Sequence, residues 1–509
     1  MSIRLADYLR PSRRPQPPGA SAAPGTGRRW LVGLGCWLLL AAAQGAEFDW
    51  SQVVQKARDR AAAPYQPMPA PLPDWLLQLD YRAWQDIRFD PNVALWAGQD
   101  LPFSVRFHHP GSIYRQPVAI SQIESGQAKL LAFAPGQFFY GPGVDRQRVP
   151  GDLGYAGFTV YARNKDSWQP VLEFLGGSFM RGGAPLLPGG VRSRALAIDT
   201  GLPSGEEFPV FTDFWLVRPA AGAKRLTVYA LLDSPRVSGA YRIELTAGTQ
   251  LVTRVDSELF FRDAVGRLGL GPLSSMFWYG ENGPPVDDYR PEVHSSDGLL
   301  VHAGKERLWR PLANPPRLAQ QSLPVPPATV YGLLQRDRDF GHYQDLDAAF
   351  EAQPSVVLEP QKGFGAGRLE LLELPVRDGL NQNVLAYFVP QAKVRGGDHL
   401  SLRYRLRWGD REPGEQAGRV LATRVARQNG VSTYQIDFAS LGAGSVPPKP
   451  HISVQGGKGG EPGLQALGDG WRLTLPVEHD DGAPLMIRAG LLTDTGTRSE
   501  TWLHHLGEE

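Results

Sequence analysis

Alternating polar and apolar residues run through most of the chain after residue 80. This pattern predicts β-strands, because successive side chains of a strand face opposite sides of a sheet. Four segments show it most clearly: Phe103–His108, Leu226–Leu232, Tyr241–Thr246 and Leu251–Phe261. Glycine, proline and other turn-forming residues separate such segments at intervals typical of strands. Patterns with helical spacing are few, so we predict an all-β fold.

One short helix is predicted near the start of this region. Residues Ser51–Ala63 carry apolar side chains at roughly helical spacing, and Asp49 stands before them as a candidate N-cap. The proline-rich residues 64–73 end the helical pattern.

The length of 509 residues exceeds that of one ordinary domain, so we expect two. Leu400–Trp408 alternates regularly and is interpreted as the last strand of the first domain, residues 47–410. Residues 411–418 are polar and contain glycine and proline, which is typical of a linker. The remaining residues, 419–509, form the second predicted domain.

The second domain has the rhythm of short strands that is typical of an immunoglobulin-like sandwich. Its predicted strands are Gly418–Ala426, Ser432–Phe438, His451–Gly456, Trp471–Pro476, Leu485–Leu492 and Ser499–Leu503.

Residues 1–46 have the features of a cleaved signal peptide. An arginine-containing stretch ends at Arg28-Arg29, an apolar run extends from Trp30 to Ala43, and small residues close the segment at Ala46. The run is too short to span a bilayer comfortably, so we expect export without an anchor. Export by the general secretory route and by the twin-arginine route both remain open. The only cysteine, Cys36, lies in this segment, so the mature chain has no thiol for a disulfide or for metal ligation.

The charge of the mature chain argues against a polyanionic partner. The formal net charge of +1 includes six arginines and one aspartate in residues 1–46; without them the chain carries 47 basic and 51 acidic residues. A slightly acidic chain lacks the basic surface that nucleic acid or anionic lipid requires. We expect a neutral partner.

Candidate chemistry concentrates first between residues 278 and 309. Aromatic rings, carboxylates, arginine and histidine alternate there among loop-forming residues, a mixture that suits sugars: rings cover the C–H faces of pyranoses, and polar groups bind the hydroxyls. The candidate binding residues are Trp278, Tyr289, Arg290, Glu292, His294 and Trp309. The alternative interpretation is a polar loop whose aromatic residues anchor it to the core.

A second dense stretch covers residues 333–347. Arg336 and Asp337 are candidate binding residues within a run of alternating charges, although such neighbours often form structural ion pairs. Neither stretch has metal-ligand spacing, and no phosphate-binding glycine loop or nucleophile elbow occurs, so we expect no metal and no cofactor.

These stretches resemble the periplasmic glucan biosynthesis family, whose exported members are needed to make osmoregulated β-1,2-linked glucans. The resemblance covers essentially the whole mature chain. The matching segments are GYAGFTVY (154–161), ALAIDTGLPSGEEFPVFTDFW (195–215), LTVYALLDSPRVSGAYR (226–242), RDAVGRLGLGPLSSMF (262–277), DDYRPEVHSSDGL (287–299), RLWRPLANP (307–315), YGLLQRDRDFGHYQDLD (331–347) and NQNVLAYF (381–388).

The resemblance implies a large N-terminal β-sandwich of supersandwich type with a long cleft, followed by an immunoglobulin-like domain. It implies a periplasmic protein that binds β-1,2-glucan along the cleft and that could also contact the inner-membrane glucan synthase. Some family members are similar to inverting endo-β-1,2-glucanases or transglycosylases.

Two departures from the family pattern fall on the expected chemistry. The family's acid catalyst is an aspartate between two asparagines, and the corresponding residue here is Gln382; the partner aspartate follows a histidine, and here Ser295 follows His294. A glutamine amide cannot donate a proton to a leaving oxygen.

Three hypotheses follow. In the first, the protein binds glucan and does not hydrolyse it. In the second, other acids replace the missing ones, with Asp297 and Asp339 as the candidates. In the third, the protein is a non-catalytic assembly factor for the synthase. Whether the chain is an enzyme therefore stays open at this stage.

Overall fold

A computed structural model describes residues 47–506 except 69–71, 166, 184–185, 187–188, 285, 415–416, 443–445 and 481. The predicted signal peptide, residues 1–46, lies outside the described residues. Within them the fold is all-β, as the alternating pattern predicts. The α-helices are short: α1 (Trp50–Ala62), α2 (Asp74–Leu77), α3 (Tyr81–Gln85) and α4 (Phe340–Tyr343).

The strands of the N-terminal half are β1 (Arg88–Phe89), β2 (Phe103–His108), β3 (Ala119–Glu124), β4 (Gln127–Leu130), β5 (Phe138–Phe139), β6 (Gly157–Asn164), β7 (Ser167–Leu175), β8 (Phe179–Gly182), β9 (Arg192–Arg194), β10 (Leu196–Ile198), β11 (Val210–Val217), β12 (Arg225–Asp233), β13 (Val237–Thr246) and β14 (Leu251–Phe261). They include the four segments whose alternation is clearest in the sequence, and those predictions are confirmed.

The next strands are β15 (Leu268–Ser275), β16 (Phe277–Tyr279), β17 (Val293–His294), β18 (Gly298–Ala303), β19 (Glu306–Pro311), β20 (Ala319–Val325), β21 (Val330–Leu334), β22 (Ser355–Lys362), β23 (Gly367–Glu373), β24 (Val384–Pro390) and β25 (His399–Gly409).

The C-terminal strands are β26 (Val420–Gln428), β27 (Val431–Phe438), β28 (Lys449–Gln455), β29 (Lys458–Gly459), β30 (Gly463–Leu467), β31 (Gly470–Glu478), β32 (Leu485–Leu492) and β33 (Thr501–Leu506). The six strands predicted in this region are confirmed to within two or three residues at their ends. The sequence pattern missed the short strands β29 and β30.

Two large sheets contain most of the described strands. One has the order β2-β6-β7-β8-β9-β15-β24-β23-β20, with β10 paired to β15; the other has the order β28-β32-β33-β19-β18-β21-β22-β25-β14-β13-β12-β11-β3-β4. A third sheet joins β26, β27, β31, β29 and β30, and two small ribbons pair β1 with β5 and β16 with β17.

The two large sheets pack face to face over one apolar core. The hydroxyl of Tyr331 on β21 crosses this interface and donates to the carbonyl of Gly271 on β15 at 2.8 Å. Gly182 on β8 marks another close approach, since a Cβ there would lie 2.7 Å from side-chain carbons of Leu251 and Trp408 on the facing sheet. This face-to-face arrangement is a β-sandwich.

The helix α1 forms where the sequence predicts it and covers the outer face of the second large sheet. The Asp49 carboxylate caps it by accepting from the amides of Ser51 at 2.9 Å and Gln52 at 3.3 Å. Val53 and Ala57 are fully buried against that sheet.

The C-terminal strands contribute to two sheets, and one of these is the second large sheet. Strand β33 runs parallel to β19, with Trp309 opposite Trp502. A second apolar core contains residues from both sides of the predicted linker, including Leu300 and Trp309 with Tyr434 and Trp502. The division into domains at residues 411–418 stays a prediction, and the two sides share a sheet and a core.

Of the helices formed by the described residues, none has the length and apolar character to cross a bilayer.

Candidate functional site: a large cleft and an acidic groove

Gln382 stands just before strand β24, with its side-chain amide bound at both ends. Its Oε1 accepts a hydrogen bond from the Ser274 hydroxyl at 2.8 Å, and its Nε2 donates to the Gly190 carbonyl at 3.2 Å. The side chain is half-buried. Glutamine therefore fixes the segment around Gly190 to the end of strand β15, using a donor and an acceptor in one group.

The neighbouring Asn383 fixes the same strand end from the other side. Its Oδ1 accepts from the amide of Phe277 at 2.8 Å, and its Nδ2 donates to the carbonyls of Phe277 and Leu374, both at 2.9 Å. The amide of buried Ser295 donates to the Met276 carbonyl at 2.8 Å. Gln382 and Ser295 thus bind opposite ends of the short segment 274–276, and neither offers a carboxyl group.

The segment held by Gln382 forms part of the wall of a cleft of about 620 Å³, which we call the large cleft. Arg192 pairs with Ser274 in the register between β9 and β15, and Gly189 and Arg192 both line the cleft. Other walls come from α3 and from strands β1, β2, β6 and β7.

Aromatic rings cover much of the large cleft. Tyr81 stacks on Trp84 with ring centroids 5.5 Å apart, and Trp84 contacts Tyr114 at 4.6 Å. The indole nitrogen of Trp84 donates to the His109 carbonyl at 2.8 Å, which fixes the ring. Tyr81 is 46% exposed, so it presents an accessible ring at the edge of the cleft.

Charged groups lie among these rings. The Glu173 carboxylate accepts from Arg181 at 2.8 Å, and its other oxygen lies 3.5 Å from Nε2 of His108. Burial lowers the pKa of His108, which keeps the imidazole neutral near pH 7 despite the nearby carboxylate. The guanidinium of Arg106 lies 4.0 Å from the ring centroid of Tyr161.

Sequence reasoning did not select the residues of this cleft. They lie between positions 81 and 192, in a region chosen only for its strands. Aromatic residues and arginines do alternate there, from Tyr81 to Tyr114, in the same mixture that singled out residues 278–309. The mixture of aromatic residues and arginines is therefore present between Tyr81 and Tyr114, but it is less dense there than between residues 278 and 309.

A second cavity, of about 250 Å³, lies between residues 277–342 and strand β26, and we call it the acidic groove. Its lining contains four carboxylates and two histidines, Glu281, Glu292, Asp297, Asp337, His294 and His342, together with the arginines Arg336 and Arg424. Six of the sequence-predicted candidates line this groove, so the structure does bring this group together: Glu292, His294, Asp297, Trp309, Arg336 and Asp337.

His294 is almost fully buried beside the acidic groove. Its Nε2 contacts a Glu292 oxygen at 2.8 Å, and its Nδ1 contacts the Gln335 side-chain oxygen at 3.0 Å. Burial acts to lower the pKa of His294, but the hydrogen bond and charge of Glu292 outweigh burial and raise it. The pair therefore favours a charged imidazolium facing a carboxylate.

Glu281 joins the acidic groove to the C-terminal strands. Its carboxylate accepts from the Thr423 amide at 2.7 Å and pairs with Arg424 at 3.0 Å. Burial nevertheless raises the pKa of Glu281 to about 7, with Glu292 and Asp337 adding to the effect. A carboxyl group with this pKa is partly protonated at neutral pH.

Glu292, Asp337 and His342 have oxygen and nitrogen atoms that all lie within 4.8 Å of one another. This spacing suits a divalent cation held by two carboxylates and an imidazole. The hydrogen bond between His342 and the Asp337 carboxylate is the largest influence on the pKa of His342 and raises it.

The structure places Trp309 and Arg336 in the interior. Trp309 is only 4% exposed, and the Arg336 guanidinium covers its ring at 3.7 Å. Arg336 also pairs with Glu412 and Glu500, both at 2.8 Å. In this arrangement Trp309 packs against a buried ion pair, and Trp309 and Arg336 also line the acidic groove.

Trp278, Tyr289 and Arg290 form a separate cluster nearer the surface. Arg290 pairs with Asp288 and Asp345, both at 2.9 Å, and lies 6.0 Å from the Trp278 ring and 5.6 Å from that of Tyr289. Tyr289 is 77% exposed, while Trp278 is half-buried. These three candidates are absent from the lining of the acidic groove.

The two candidate replacement acids both bind backbone. Asp297 accepts from the amides of Arg336 and Asp337, each at 2.9 Å, and burial raises its pKa. Asp339 is exposed and caps α4 by accepting from the Gly341 amide at 2.8 Å. Asp297 lines the acidic groove, and Asp339 does not.

Comparison with known proteins gives one consistent result. A family model described as "Periplasmic glucan biosynthesis protein, MdoG" matches residues 48–506. Among curated proteins, the glucans biosynthesis protein G of Ralstonia nicotianae is 40% identical over 510 residues, covering 94% of this chain and 99% of that protein. The glucans biosynthesis protein D 1 of the same organism is 40% identical over 495 residues, covering 91% and 92%.

Proposed function

The chain belongs to the periplasmic glucan biosynthesis family, and from this premise we propose that it binds the backbone of a β-1,2-linked glucan in the large cleft without hydrolysing it. The substrate class comes from the family. The location comes from the cavity, because the large cleft combines exposed and half-buried rings with hydrogen-bonding side chains. This is the composition that pyranose recognition requires.

The absence of hydrolysis is supported by the contacts of Gln382. Its amide is committed to Ser274 and Gly190, and its position corresponds to the acid of the family pattern. An amide in this place holds the cleft wall and has no proton to give a leaving oxygen. The second family position, Ser295, is 3% exposed and offers a hydroxyl in place of a carboxylate. The hydrogen-bonded amide of Gln382 at this position is the observation that carries the proposal.

We also propose that residues 1–46 direct export and that the mature chain works in the periplasm. The matched family is described as periplasmic. Fractionation of cells that express the full chain, followed by N-terminal sequencing of the periplasmic product, tests this. Recovery of the chain only from the cytoplasm would contradict it.

The binding proposal is tested with purified chain and unsubstituted linear β-1,2-glucan. Isothermal calorimetry should detect binding, and chromatography of the same mixture after long incubation should show glucan of unchanged length. Linear β-1,4-glucan oligomers serve as the control ligand, because they keep the glucose unit and change only the linkage. Absence of binding to β-1,2-glucan would refute the proposal.

A second candidate, hydrolysis by a relocated acid, is favoured by one specific observation. Glu281 combines a pKa of about 7 with a position in the lining of the acidic groove, which also contains Glu292 and Asp337. An inverting hydrolase needs one protonated and one ionised carboxyl group facing the bond. In this alternative Glu281 is the acid, and Asp337 or Glu292 is the base.

The two candidates differ in the products they predict. If Glu281 is the acid, the unmodified chain shortens β-1,2-glucan and Glu281→Gln abolishes the activity. The matched control is Glu478→Gln, which removes the same charge from an exposed position. Glucan of unchanged length with the unmodified chain excludes this alternative.

Contact with an inner-membrane glucan synthase stays a prediction. Deleting the C-terminal region is a poor test, since strand β33 is paired with β19 and removing it would expose a sheet edge. Cross-linking of the intact chain in cells, followed by identification of the membrane partner, avoids this problem. Recovery of the chain without any synthase would count against the contact.

A further inference from the structure

Positive charge outweighs negative charge along the wall of the large cleft. Among its lining residues, a single carboxylate, Glu173, faces four arginines: Arg88, Arg106, Arg181 and Arg192. Arg181 already pairs with Glu173 at 2.8 Å. The cleft therefore keeps positive charge that the carboxylate in its wall does not neutralise.

Arg192 contributes most clearly to this excess of positive charge. Its guanidinium makes no hydrogen bond or ion pair with another residue in the described part of the chain, although the side chain is half-buried. Burial, and after it the like charge of Arg181, lower the pKa of Arg192. The charge of Glu173 acts in the opposite direction and raises the pKa of Arg192, but Glu173 is already paired with Arg181. Burying a charge that no carboxylate contacts directly is costly, and a bound anion would offset that cost.

Arg106 adds a second unsatisfied group in the same wall. Its guanidinium stacks on Tyr161 at 4.0 Å. Its Nε is buried and has no hydrogen-bond partner among the described residues. The ring fixes the position of the guanidinium but does not neutralise its charge.

We propose that the large cleft recognises an anionic group carried by its glucan, a carboxylate or a phosphate ester, and that Arg192 binds this group. The inference rests on the proposed function, since it takes the polymer in the cleft to be a glucan. A planar guanidinium matches both anions with paired N–H donors. Sugar hydroxyls can accept hydrogen bonds from arginine, but they leave its charge uncompensated.

This proposal revises the expectation of a neutral partner. That expectation came from the net charge of the mature chain, which averages over its whole surface. The mature chain is slightly acidic, whereas the lining of the large cleft carries more positive than negative side chains. A bound ligand interacts mainly with the charges of the lining, so the net charge of the chain does not predict its charge.

Calorimetry with three forms of one polymer tests the inference: unsubstituted linear β-1,2-glucan, the same glucan succinylated, and the same glucan phosphorylated. Both charged forms should bind about tenfold more tightly than the neutral form, a difference of about 1.4 kcal/mol. The advantage should shrink between about 0.05 M and about 0.5 M salt, because ions screen the attraction. This salt comparison uses the unmodified chain and requires no variant to fold.

Arg192→Gln should remove the advantage of the charged glucans, so that the charged and neutral forms bind this variant with equal affinity. The control is Arg225→Gln, which removes the same charge from an exposed position at the start of β12, on the other large sheet. Arg225→Gln should retain the full preference. If Arg192→Gln still binds the charged glucans more tightly than the neutral one, Arg192 does not bind the anionic group.

Failure of the inference can be told apart from failure of the proposed function. Equal affinity for neutral and charged glucan at both salt concentrations overturns anion recognition and leaves glucan binding in place. Sodium succinate and inorganic phosphate are titrated alone as a further arm. If these anions bind in an Arg192-dependent way while no glucan binds, both proposals are refuted and Arg192 is a site for a free anion; if nothing binds, both are refuted as well.

Discussion

The guanidinium of Arg336 lies 3.7 Å from the centroid of the Trp309 ring and joins the two sides of the predicted linker. On its other side it pairs with Glu412, within the predicted linker, and with Glu500, just before β33. All three charged side chains are at most 8% exposed. A buried group of one cation and two anions depends on every member, because removing the cation leaves two desolvated carboxylates.

We therefore expect Arg336→Met to destabilise the protein by about 3–5 kcal/mol, the usual cost of breaking a buried ion pair. Chemical denaturation followed by tryptophan fluorescence measures it. Arg163→Ala is the control, since Arg163 and Asp100 pair at the surface and such pairs contribute about 1 kcal/mol or less.

Adding Glu412→Gln and Glu500→Gln to Arg336→Met should recover part of the lost stability, because the amides carry no charge to desolvate. If the triple variant is as unstable as the single one, the loss comes from packing against Trp309 and the electrostatic account is wrong.

A second prediction concerns the pH dependence of stability at Glu281. Its pKa is raised to about 7 in the folded state from 4.5, so the folded chain binds the proton more tightly than the unfolded chain. Stability must then fall as pH rises from about 4.5 to about 7, and the loss remains at higher pH. At pH 8, Glu281→Gln should be more stable than the unmodified chain by about 1–3 kcal/mol.

The comparison is made by denaturation of both chains at pH 5 and at pH 8. The two curves should approach each other at pH 5, where the carboxyl group of Glu281 is protonated. A constant difference at both pH values would mean that the Glu281→Gln substitution acts through the hydrogen bond to Thr423 and not through titration. Glu478→Gln again controls for the change in net charge.

A third prediction tests whether glucan binds in the large cleft or over the cluster of Trp278, Tyr289 and Arg290. Tyr81→Ala removes an exposed ring that stacks on Trp84, and it should weaken glucan binding about 3- to 10-fold, the value of one aromatic contact. Phe208→Ala, which removes a similarly exposed ring elsewhere, should bind normally. If Tyr289→Ala weakens binding and Tyr81→Ala does not, the glucan lies over the residues that the sequence selected.

The strands could be predicted because a strand's side chains alternate with a fixed period of two, a local property. Residues Phe103–His108 and Leu251–Phe261 match the observed strands at both ends. The parallel pairing of β19 with β33 could not be predicted in this way, since it joins Trp309 to Trp502 across nearly 200 positions and leaves no local mark.

The same difference between local and distant information applies to the site. Residue type selected Glu292 and His294 in one dense stretch and Asp337 in another, and the structure brings the three together in one groove. The selection of Trp309 as a sugar-binding ring stays a prediction. The guanidinium that covers this ring belongs to Arg336, 27 positions further along the chain, and that contact leaves no local mark in the sequence. The large cleft is assembled from residues as far apart in the sequence as Tyr81 and Arg192. The composition of the sequence does not reveal that such residues line one cavity.

The last prediction concerns Gln382 itself. Its amide holds Ser274 and Gly190, and an aspartic acid in its place offers the acidic proton that the amide lacks. We expect Gln382→Asp to cleave linear β-1,2-glucan at least about 100-fold faster than any residual cleavage by the unmodified chain, which is the lower range of what a general acid contributes. Chromatography of the products measures it, and Gln382→Asn, which shortens the side chain equally without an acid, should stay inactive. Ser295 is the residue expected at the position of the partner aspartate, so Gln382→Asp with Ser295→Asp should be faster again. If the double variant gives no shorter glucan, Gln382 does not stand where the family's acid stands, and the explanation for the lack of hydrolysis fails.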